Sequence, residues 1–213
     1  MKHFNTIVIV GGGKVSTSVL SDVRESDYVI GVDHGAAWLL GHRVIPDIAI
    51  GDFDSVSDWQ MQIIKRQSKR MDIYPKKKNK TDMELAIEYA IGLHPKEVTI
   101  YGAIGDRLDH TMANIHLLEK LLENGIAGVI RDESNEVRIV TSQLKVKKEA
   151  RFPYVSILPV TEAVEVTLDG FAYDLSHTII HRGQTIGISN EIREDEATIE
   201  VHSGKALMIR SRD

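Results

Sequence analysis

Up to about residue 140, short β-rich runs alternate with longer helix-like segments, and this alternation restricts the possible folds more than any other feature of the sequence. The β-rich runs are TIVIV, YVIGV, IAIG, MDIYP, EVTIYG and GVIRD. Between them lie segments with helical spacing of apolar residues, such as WQMQIIKRQ, MELAIEYAIGL and MANIHLLEKLLENG. Alternation of this kind predicts an α/β fold with an N-terminal, Rossmann-like parallel sheet flanked by helices.

After about residue 141 the pattern changes to short alternating segments with turn residues between them and no helical stretch. These segments are YVSILPV, AVEVTLDG, TIGIS, ATIEVHS and ALMIRSR. They predict a small C-terminal all-β sandwich domain. We therefore divide the chain into an α/β domain, residues 1–141, and a β-sandwich domain, residues 142–213.

Composition narrows the class of protein further. The 213 residues are 42% hydrophobic and 27% charged, as expected for one compact domain or two small ones with real cores. The net charge of -5 argues against broad electrostatic binding to nucleic acid or to an anionic membrane. The opening MKHFNTIVIVGGG does not have the pattern of a secretory signal, and no apolar run is long enough to span a bilayer. We expect a cytoplasmic protein.

Acidic residues follow several of the predicted strands, namely Asp33, Asp52, Asp54, Asp82, Asp106 and Asp109. Ligands of an open parallel sheet bind beyond the carboxyl ends of its strands, so these side chains are expected to converge. Converging carboxylates repel one another unless a cation neutralises them. Cysteine is absent, so the ligands of any metal are oxygen or imidazole, and magnesium with a polyphosphate is the first candidate. Ordinary turn residues are the alternative for Asp52 and Asp54.

The segment KKKNKTDMELA has the pattern of a helix start. Thr81 and Glu84 fit a capping box, and Asp82 in the first turn would favour the helix dipole whether or not it binds a metal. A helix N-terminus attracts anions, so one or two of the preceding lysines are expected to reach a phosphate, while the others form a solvated face. These lysines are Lys76, Lys77, Lys78 and Lys80.

Two glycine-containing loops follow predicted strands. In YGAIGDRLDH, Arg107 offers a planar fork that suits phosphate oxygens, and Asp109 can orient a cation or a hydroxyl; a surface ion pair at a helix start is the alternative. In GGGKVS, Ser16 occupies the third position of a dinucleotide fingerprint, and no Walker loop is present. The glycines indicate either a plain tight turn or close backbone approach to a phosphate or adenosine.

Taken in order, six blocks of the sequence resemble the bacterial thiamine pyrophosphokinase family. They are GVDHGAAWLL, PDIAIGDFDSV, KNKTDMELAIEYA, YGAIGDRLDHTMANIHLL, GFAYDL and GISNEI. The resemblance implies transfer of a pyrophosphoryl group from ATP to the hydroxyl of thiamine, giving thiamine diphosphate and AMP, with magnesium. It also implies a homodimer in which thiamine lies between the α/β domain of one subunit and the β-domain of the other.

The resemblance also implies roles for individual residues. It assigns magnesium to Asp52, Asp54 and Asp82, and ATP to Asp33, Lys78, Thr81 and Arg107. It assigns catalysis to Asp82, Arg107 and Asp109, and thiamine to Tyr173, Ser189 and Asn190. Two positions depart from the commoner family pattern, because His34 replaces a glycine and Asn79 replaces an aspartate.

Two other functions are compatible with the same residues. One is a magnesium-dependent phosphohydrolase or nucleotide-sugar transferase that uses the two aspartates of GDFDSV. The other is a non-catalytic sensor of a nucleotide or of thiamine, in which the β-domain is an interaction module.

Overall fold

The computed structural model describes residues 4–213, which form two compact units. The first unit ends at Glu133 and the second spans Ser134–Asp213. The boundary therefore precedes the one expected from the sequence, at 141/142. The reason is strand β7 (Asn135–Val140), which pairs along its whole length with the last strand, β14 (Ala206–Ser211).

A six-stranded parallel sheet forms the centre of the first unit, in the order β6-β5-β1-β2-β3-β4. Its strands are β1 (Thr6–Val10), β2 (Tyr28–Val32), β3 (Ile48–Gly51), β4 (Met71–Ile73), β5 (Glu97–Tyr101) and β6 (Ala127–Arg131). Successive residues of β1, Ile7 to Val10, are all buried, so both faces of this strand are covered. Burial on both faces explains the continuous apolar runs in the sequence.

Five α-helices connect these strands: α1 (Leu20–Glu25), α2 (His34–Gly41), α3 (Asp58–Gln67), α4 (Asp82–Gly92) and α5 (Leu108–Glu123). The three longer helices coincide with the predicted segments. Helices α1 and α2 were not predicted, because with six and eight residues they span only about two turns or fewer, too few to show a repeated apolar pattern. Within residues 4–213, no helix combines the length and apolar character needed to cross a membrane.

The loops after β1 and β5 meet where the strand order reverses, and this contact accounts for two of the glycines. Gly11 N–H donates to the carbonyl of Tyr101 at 2.8 Å, and Gly13 N–H donates to that of Gly102 at 3.0 Å. A Cβ on Gly11 or Gly13 would lie within 2.8 Å of a backbone carbonyl oxygen of the other loop. Close packing of two loops therefore requires glycine at both positions.

The second unit contains two antiparallel sheets of four strands, in the orders β12-β9-β14-β7 and β11-β10-β13-β8. The remaining strands are β8 (Gln143–Lys147), β9 (Tyr154–Pro159), β10 (Ala163–Asp169), β11 (Leu175–His181), β12 (Asn190–Glu191) and β13 (Glu196–Ser203). Inward-facing side chains of both sheets form one apolar core, which includes Val155, Val166 and Ile199. The predicted fold class, a parallel α/β sheet followed by a small β-sandwich, is confirmed.

One predicted strand of the second unit is wrong. The segment TIGIS, residues 185–189, is a turn region before the short strand β12. Its apolar side chains Ile186 and Ile188 are exposed, so their alternation does not mark a buried face. Gly187 instead packs on β9, where its carbonyl accepts from Ile157 N–H at 2.8 Å.

Candidate active site

A cleft of about 690 Å³ opens at the carboxyl ends of the parallel strands in the first unit. Loops after five strands line it, as expected at the point where the strand order of an open α/β sheet reverses. The loop after β1 contributes glycines and Lys14, and the loop before α4 contributes Lys76, Lys78 and Lys80. The cleft thus combines flexible cationic side chains with backbone that a ligand can approach closely.

Three carboxylates meet in this cleft. One ligand oxygen each of Asp33, Asp52 and Asp82 lies within 4.8 Å of the others, and all three residues are half-buried. Asp33 follows β2, Asp52 follows β3, and Asp82 is the first residue of α4. Within residues 4–213 no other trio of histidine, cysteine or acidic side chains converges in this way. We call these three residues the acid cluster.

The loop after β3 is folded around the carboxylate of Asp33. Asp33 has φ 46° and ψ -116°, an uncommon conformation for a residue other than glycine. Its N–H donates to the carbonyl of Ile50, and its Oδ1 accepts from Phe53 N–H, both at 3.1 Å. A Cβ at Gly51 would lie 1.9 Å from Oδ1, so only glycine fits there. Backbone strain of this kind is typical of functional sites.

Lys78 is the cation of the acid cluster. Its Nζ lies 3.0 Å from Asp52 Oδ2 and 3.1 Å from Asp82 Oδ1. All three side chains are at most 16% exposed, so solvent screens this interaction less than it screens a surface ion pair. Asp82 Oδ1 is buried, and although Lys78 is close, it accepts no well-directed hydrogen bond.

The pKa values of the side chains in the cluster depend on both burial and the neighbouring charged groups. Burial, with the neighbouring charges of Asp82 and Asp52, raises the pKa of Asp33 to about 6, against the opposing effect of the Phe53 N–H. Burial also opposes ionisation of Asp52, but hydrogen bonds from Asp54 N–H and Lys78 lower its pKa on balance. Burial opposes the charge of Lys78, but its hydrogen bond to Asp52 and its ion pair with Asp82 outweigh this effect and raise the pKa of its ammonium.

Asp54, a predicted magnesium ligand, does not join the acid cluster in this structure. Its carboxylate pairs with Lys76 Nζ at 2.5 Å, and its own N–H donates to Asp52 Oδ1 at 3.1 Å. Asp33, predicted to contact ATP, takes the third place beside Asp52 and Asp82. The reason is local, because Phe53 between the two aspartates has φ 56° and interrupts the extended backbone.

Thr81 is the N-cap of α4, where its hydroxyl accepts from Glu84 N–H at 3.2 Å. The predicted capping box is only half formed, because the carboxylate of Glu84 pairs with Lys120 of α5 at 2.8 Å. Thr81 also lines the cleft, beside the first turn of α4. The cap therefore fixes the position from which Asp82 enters the acid cluster.

Arg107 and Asp109 form a bidentate ion pair at the start of α5. Arg107 donates to the two carboxylate oxygens of Asp109 at 3.2 and 2.6 Å, and both side chains are mainly exposed. This pairing lowers the pKa of Asp109 to about 2. Arg107 lines the cleft, whereas Asp109 is turned toward Arg107, and Asp106 forms a separate exposed pair with Lys14. Their catalytic roles stay predictions.

Sequence reasoning missed Asn114, a buried residue of α5 that lines the cleft. Its Nδ2 donates to the carbonyl of Ala103 at 2.8 Å and so holds the loop that carries Arg107. The signal was present in the sequence: Asn114 shares a helix face with the buried Leu118 and Leu121. A polar residue in an apolar stripe indicates a specific hydrogen bond.

The predicted thiamine residues lie together in the second unit. The buried Asn190 side chain accepts from Tyr173 N–H at 3.0 Å and donates to the Tyr173 carbonyl at 2.7 Å. The Tyr173 side chain is 73% exposed, and Ser189 is also exposed, with φ 54°. Asn190 therefore positions the loop of Tyr173, and the side chains of Tyr173 and Ser189 are exposed.

Comparisons with known proteins agree with this geometry. The family model described as "Thiamin pyrophosphokinase, catalytic domain" matches residues 21–130, and "Thiamin pyrophosphokinase, vitamin B1 binding domain" matches residues 141–206. Thiamine pyrophosphokinase of Bacillus subtilis (strain 168) is 34% identical over 98% of this chain and 99% of that protein. The chain belongs to the thiamine pyrophosphokinase family.

Solved structures of thiamine pyrophosphokinases support the same assignment. The B. subtilis structure matches with a TM-score of 0.92 at 32% identity, covering 98% of this chain and 100% of that chain. The Geobacillus thermodenitrificans structure matches with a TM-score of 0.87 at 36% identity, covering 98% of each chain. The resemblance found in the sequence is thus confirmed, and the protein is an enzyme of the thiamine pyrophosphokinase family.

Proposed function

We propose that the protein transfers a pyrophosphoryl group from ATP to the hydroxyl of thiamine, giving thiamine diphosphate and AMP in a magnesium-dependent reaction. The observation that carries this proposal is the acid cluster, which lies within the region matched by the catalytic-domain model and opens into a cationic cleft. The match of residues 141–206 to a vitamin B1 binding domain supports thiamine as the acceptor.

The acid cluster suits magnesium by its chemistry. Its ligands are all carboxylate oxygens, which this hard cation prefers, and Asp82 Oδ1 is buried without a well-directed hydrogen bond. Asp33, Asp52 and Asp82 would hold the ion, with Asp54 nearby on the same loop as Asp52. Bound magnesium neutralises negative charge on a polyphosphate and keeps it in a defined conformation.

The remaining groups of the cleft position the reactants. In the proposed reaction the thiamine hydroxyl oxygen forms a bond to the β-phosphorus of ATP and loses its proton. The bond from that phosphorus to the α,β-bridging oxygen breaks, and AMP leaves with this oxygen. Arg107 and Lys78 are suited to bind the phosphate oxygens, and Asp109 to orient Arg107 or the attacking hydroxyl.

For thiamine we propose the surface formed by Tyr173 and Ser189. An exposed aromatic face is a suitable partner for the cationic thiazolium ring of thiamine. We further propose that the protein is a homodimer, in which the acceptor bound by one subunit meets the acid cluster of the other. Light scattering coupled to size-exclusion chromatography measures the mass directly, and a monomer at assay concentration would contradict the shared site.

The activity is tested by measuring AMP with purified protein, ATP, magnesium and thiamine, omitting each component in turn. AMP and thiamine diphosphate should form in equal amounts and only when all three are present. Rapid ATP hydrolysis without thiamine would identify a phosphohydrolase instead. Tight thiamine binding with no AMP released at micromolar enzyme would identify a sensor.

A further inference from the structure

The lysines before α4 have different partners, and Lys78 is the one whose ammonium lies inside the acid cluster. Lys76 pairs with Asp54, and Lys80 pairs with Glu88 at 2.7 Å, and both lysines are more exposed than Lys78. Lys78 is only 14% exposed and contacts Asp52 and Asp82 together. It therefore occupies the position where a cation is most strongly attracted.

A magnesium ion and the Lys78 ammonium cannot both contact Asp52 Oδ2 and Asp82 Oδ1 at the same time. Magnesium binds oxygen at about 2.0–2.1 Å and requires close to octahedral geometry. The ammonium already lies within 3.1 Å of Asp52 Oδ2 and Asp82 Oδ1, so an ion bound to these atoms would be in direct contact with a second positive charge. Binding of the ion through this side of the cluster requires Lys78 to move.

Lys78 is built to move without disturbing the fold. It lies in the loop between β4 and α4, outside any helix or strand, and its Nζ ends a flexible chain of methylene groups. The same side chain lines the cleft, where Lys80 and Arg107 supply further positive charge. A released ammonium would thus be among the groups suited to bind phosphate.

We propose that Lys78 is an exchangeable counter-ion, whose ammonium neutralises the acid cluster until a divalent cation displaces it, and which then binds the polyphosphate of the nucleotide. The inference rests on the proposed function, since it assumes a metal at the cluster and a nucleotide in the cleft. It makes Lys78 a binding residue that couples the binding of the metal to that of the nucleotide.

The exchange predicts that removal of the ammonium changes the affinity for the metal and the affinity for the nucleotide in opposite directions. In Lys78→Met the metal no longer competes with an internal cation, so affinity for Mn²⁺ without nucleotide should rise by about tenfold, within the usual range of coupling between competing ligands. Affinity for α,β-methylene-ATP in the presence of Mn²⁺ should fall. A lysine that served only as a phosphate ligand would change the second affinity alone, and a purely structural lysine would weaken both.

Mn²⁺ binding is measured by electron paramagnetic resonance of the free ion, and analogue binding by calorimetry, on the full-length protein. Lys77→Met is the matched control. It removes the same charge one residue away, and Lys77 is exposed and does not line the cleft. The control should bind Mn²⁺ like the wild type. Unchanged or weaker Mn²⁺ binding by Lys78→Met overturns the exchange.

A measurement on the wild type covers the case in which Lys78→Met does not fold. A crystal grown with Mn²⁺ should show the ion at the acid cluster and Lys78 Nζ withdrawn from Asp52 and Asp82; Nζ retained at its present distances beside the ion overturns the proposal. If AMP still forms with thiamine, such a result rejects only the exchange. If neither the wild type nor Lys78→Met binds Mn²⁺ and no AMP forms, the proposed function fails as well.

Discussion

At the scale of single residues, the acid cluster depends on backbone conformation more than on the spacing of aspartates. Asp52 and Asp54 are two apart, which in an extended strand would place them on one side. The chain leaves its strand at Gly51, and the positive φ of Phe53 separates the two carboxylates. Asp33 completes the cluster because its own unusual conformation turns its carboxylate toward this loop.

Asp82 should be required for turnover because it belongs to the acid cluster, and not only because it stands in the first turn of α4. Asp82→Asn is expected to lower magnesium-dependent turnover by about 10²-fold, the usual effect of losing one preorganised electrostatic contact, and to leave the fold intact. Asp58→Asn is the control, because Asp58 occupies the same position after the N-cap of α3 but lies outside the cleft. Near-normal turnover of Asp82→Asn at saturating magnesium would remove Asp82 from the site.

Asp33 gives a prediction with a definite sign in pH. Its pKa of about 6 in the folded state lies above its unfolded value of 3.8, so its contribution to stability is full below about pH 4 and is lost as pH rises through 6. With EDTA present, Asp33→Asn should therefore raise the melting temperature at neutral pH, by about 2–4 °C for each kcal/mol gained, and have little effect near pH 4.

The comparison is made by calorimetric melts across that pH range. Asn can still accept the hydrogen bond from Phe53 N–H, so loss of that contact does not confuse the result. A stability difference that is independent of pH would show that the charge of Asp33 is not what opposes folding.

At the scale of elements, ends of helices and strands fix the functional side chains. The Thr81 cap sets the start of α4, and the hydrogen bonds of Asn190 hold the loop before β11 against β12. In both cases a short polar side chain satisfies backbone groups that the regular element leaves unpaired. Two side chains expected to contact ligands depend on these groups: Asp82 directly follows Thr81, and Tyr173 is held by Asn190.

The two thiamine candidates at the start of β12 should therefore respond differently to truncation. Asn190→Ala leaves the partly buried N–H and carbonyl of Tyr173 without their partner, so we expect a loss of about 1–3 kcal/mol in the free energy of unfolding together with a higher KM for thiamine. Ser189→Ala should raise the KM with little change in stability, because its side chain is exposed. Denaturant titrations and initial rates check both variants; unchanged stability of Asn190→Ala would contradict the anchoring role.

At the scale of the whole molecule, the position of the boundary between the units matters for stability. β7 supplies Val140 to the apolar core of the second unit and covers one side of β14. A fragment of residues 134–213 should melt at a higher temperature than a fragment of residues 142–213, which loses the pairing of β7 with β14 and the buried Val140 side chain, worth about 1.5–3 kcal/mol. Equal melting of the two fragments, followed by circular dichroism, would show that β7 does not belong to the second unit's core.

The sequence by itself determined the six strands and the three longer helices of the first unit along the chain, the change to an all-β unit, and the family. These features depend on local periodicity and on motifs in fixed order, which are read without knowing what packs on what. The sequence also predicted that Asp52 and Asp82 lie close together, because residues after parallel strands share one edge of the sheet.

Only the tertiary structure decided which charges meet. The choice of Asp33 over Asp54, the contact of Lys78 with Asp52 and the contact of Asn114 with the Ala103 carbonyl all join residues that are not neighbours in the chain. The packing of Gly11 and Gly13 against another loop has the same origin. Such contacts follow from strand order and from backbone torsions in loops, neither of which leaves a periodic trace in the sequence.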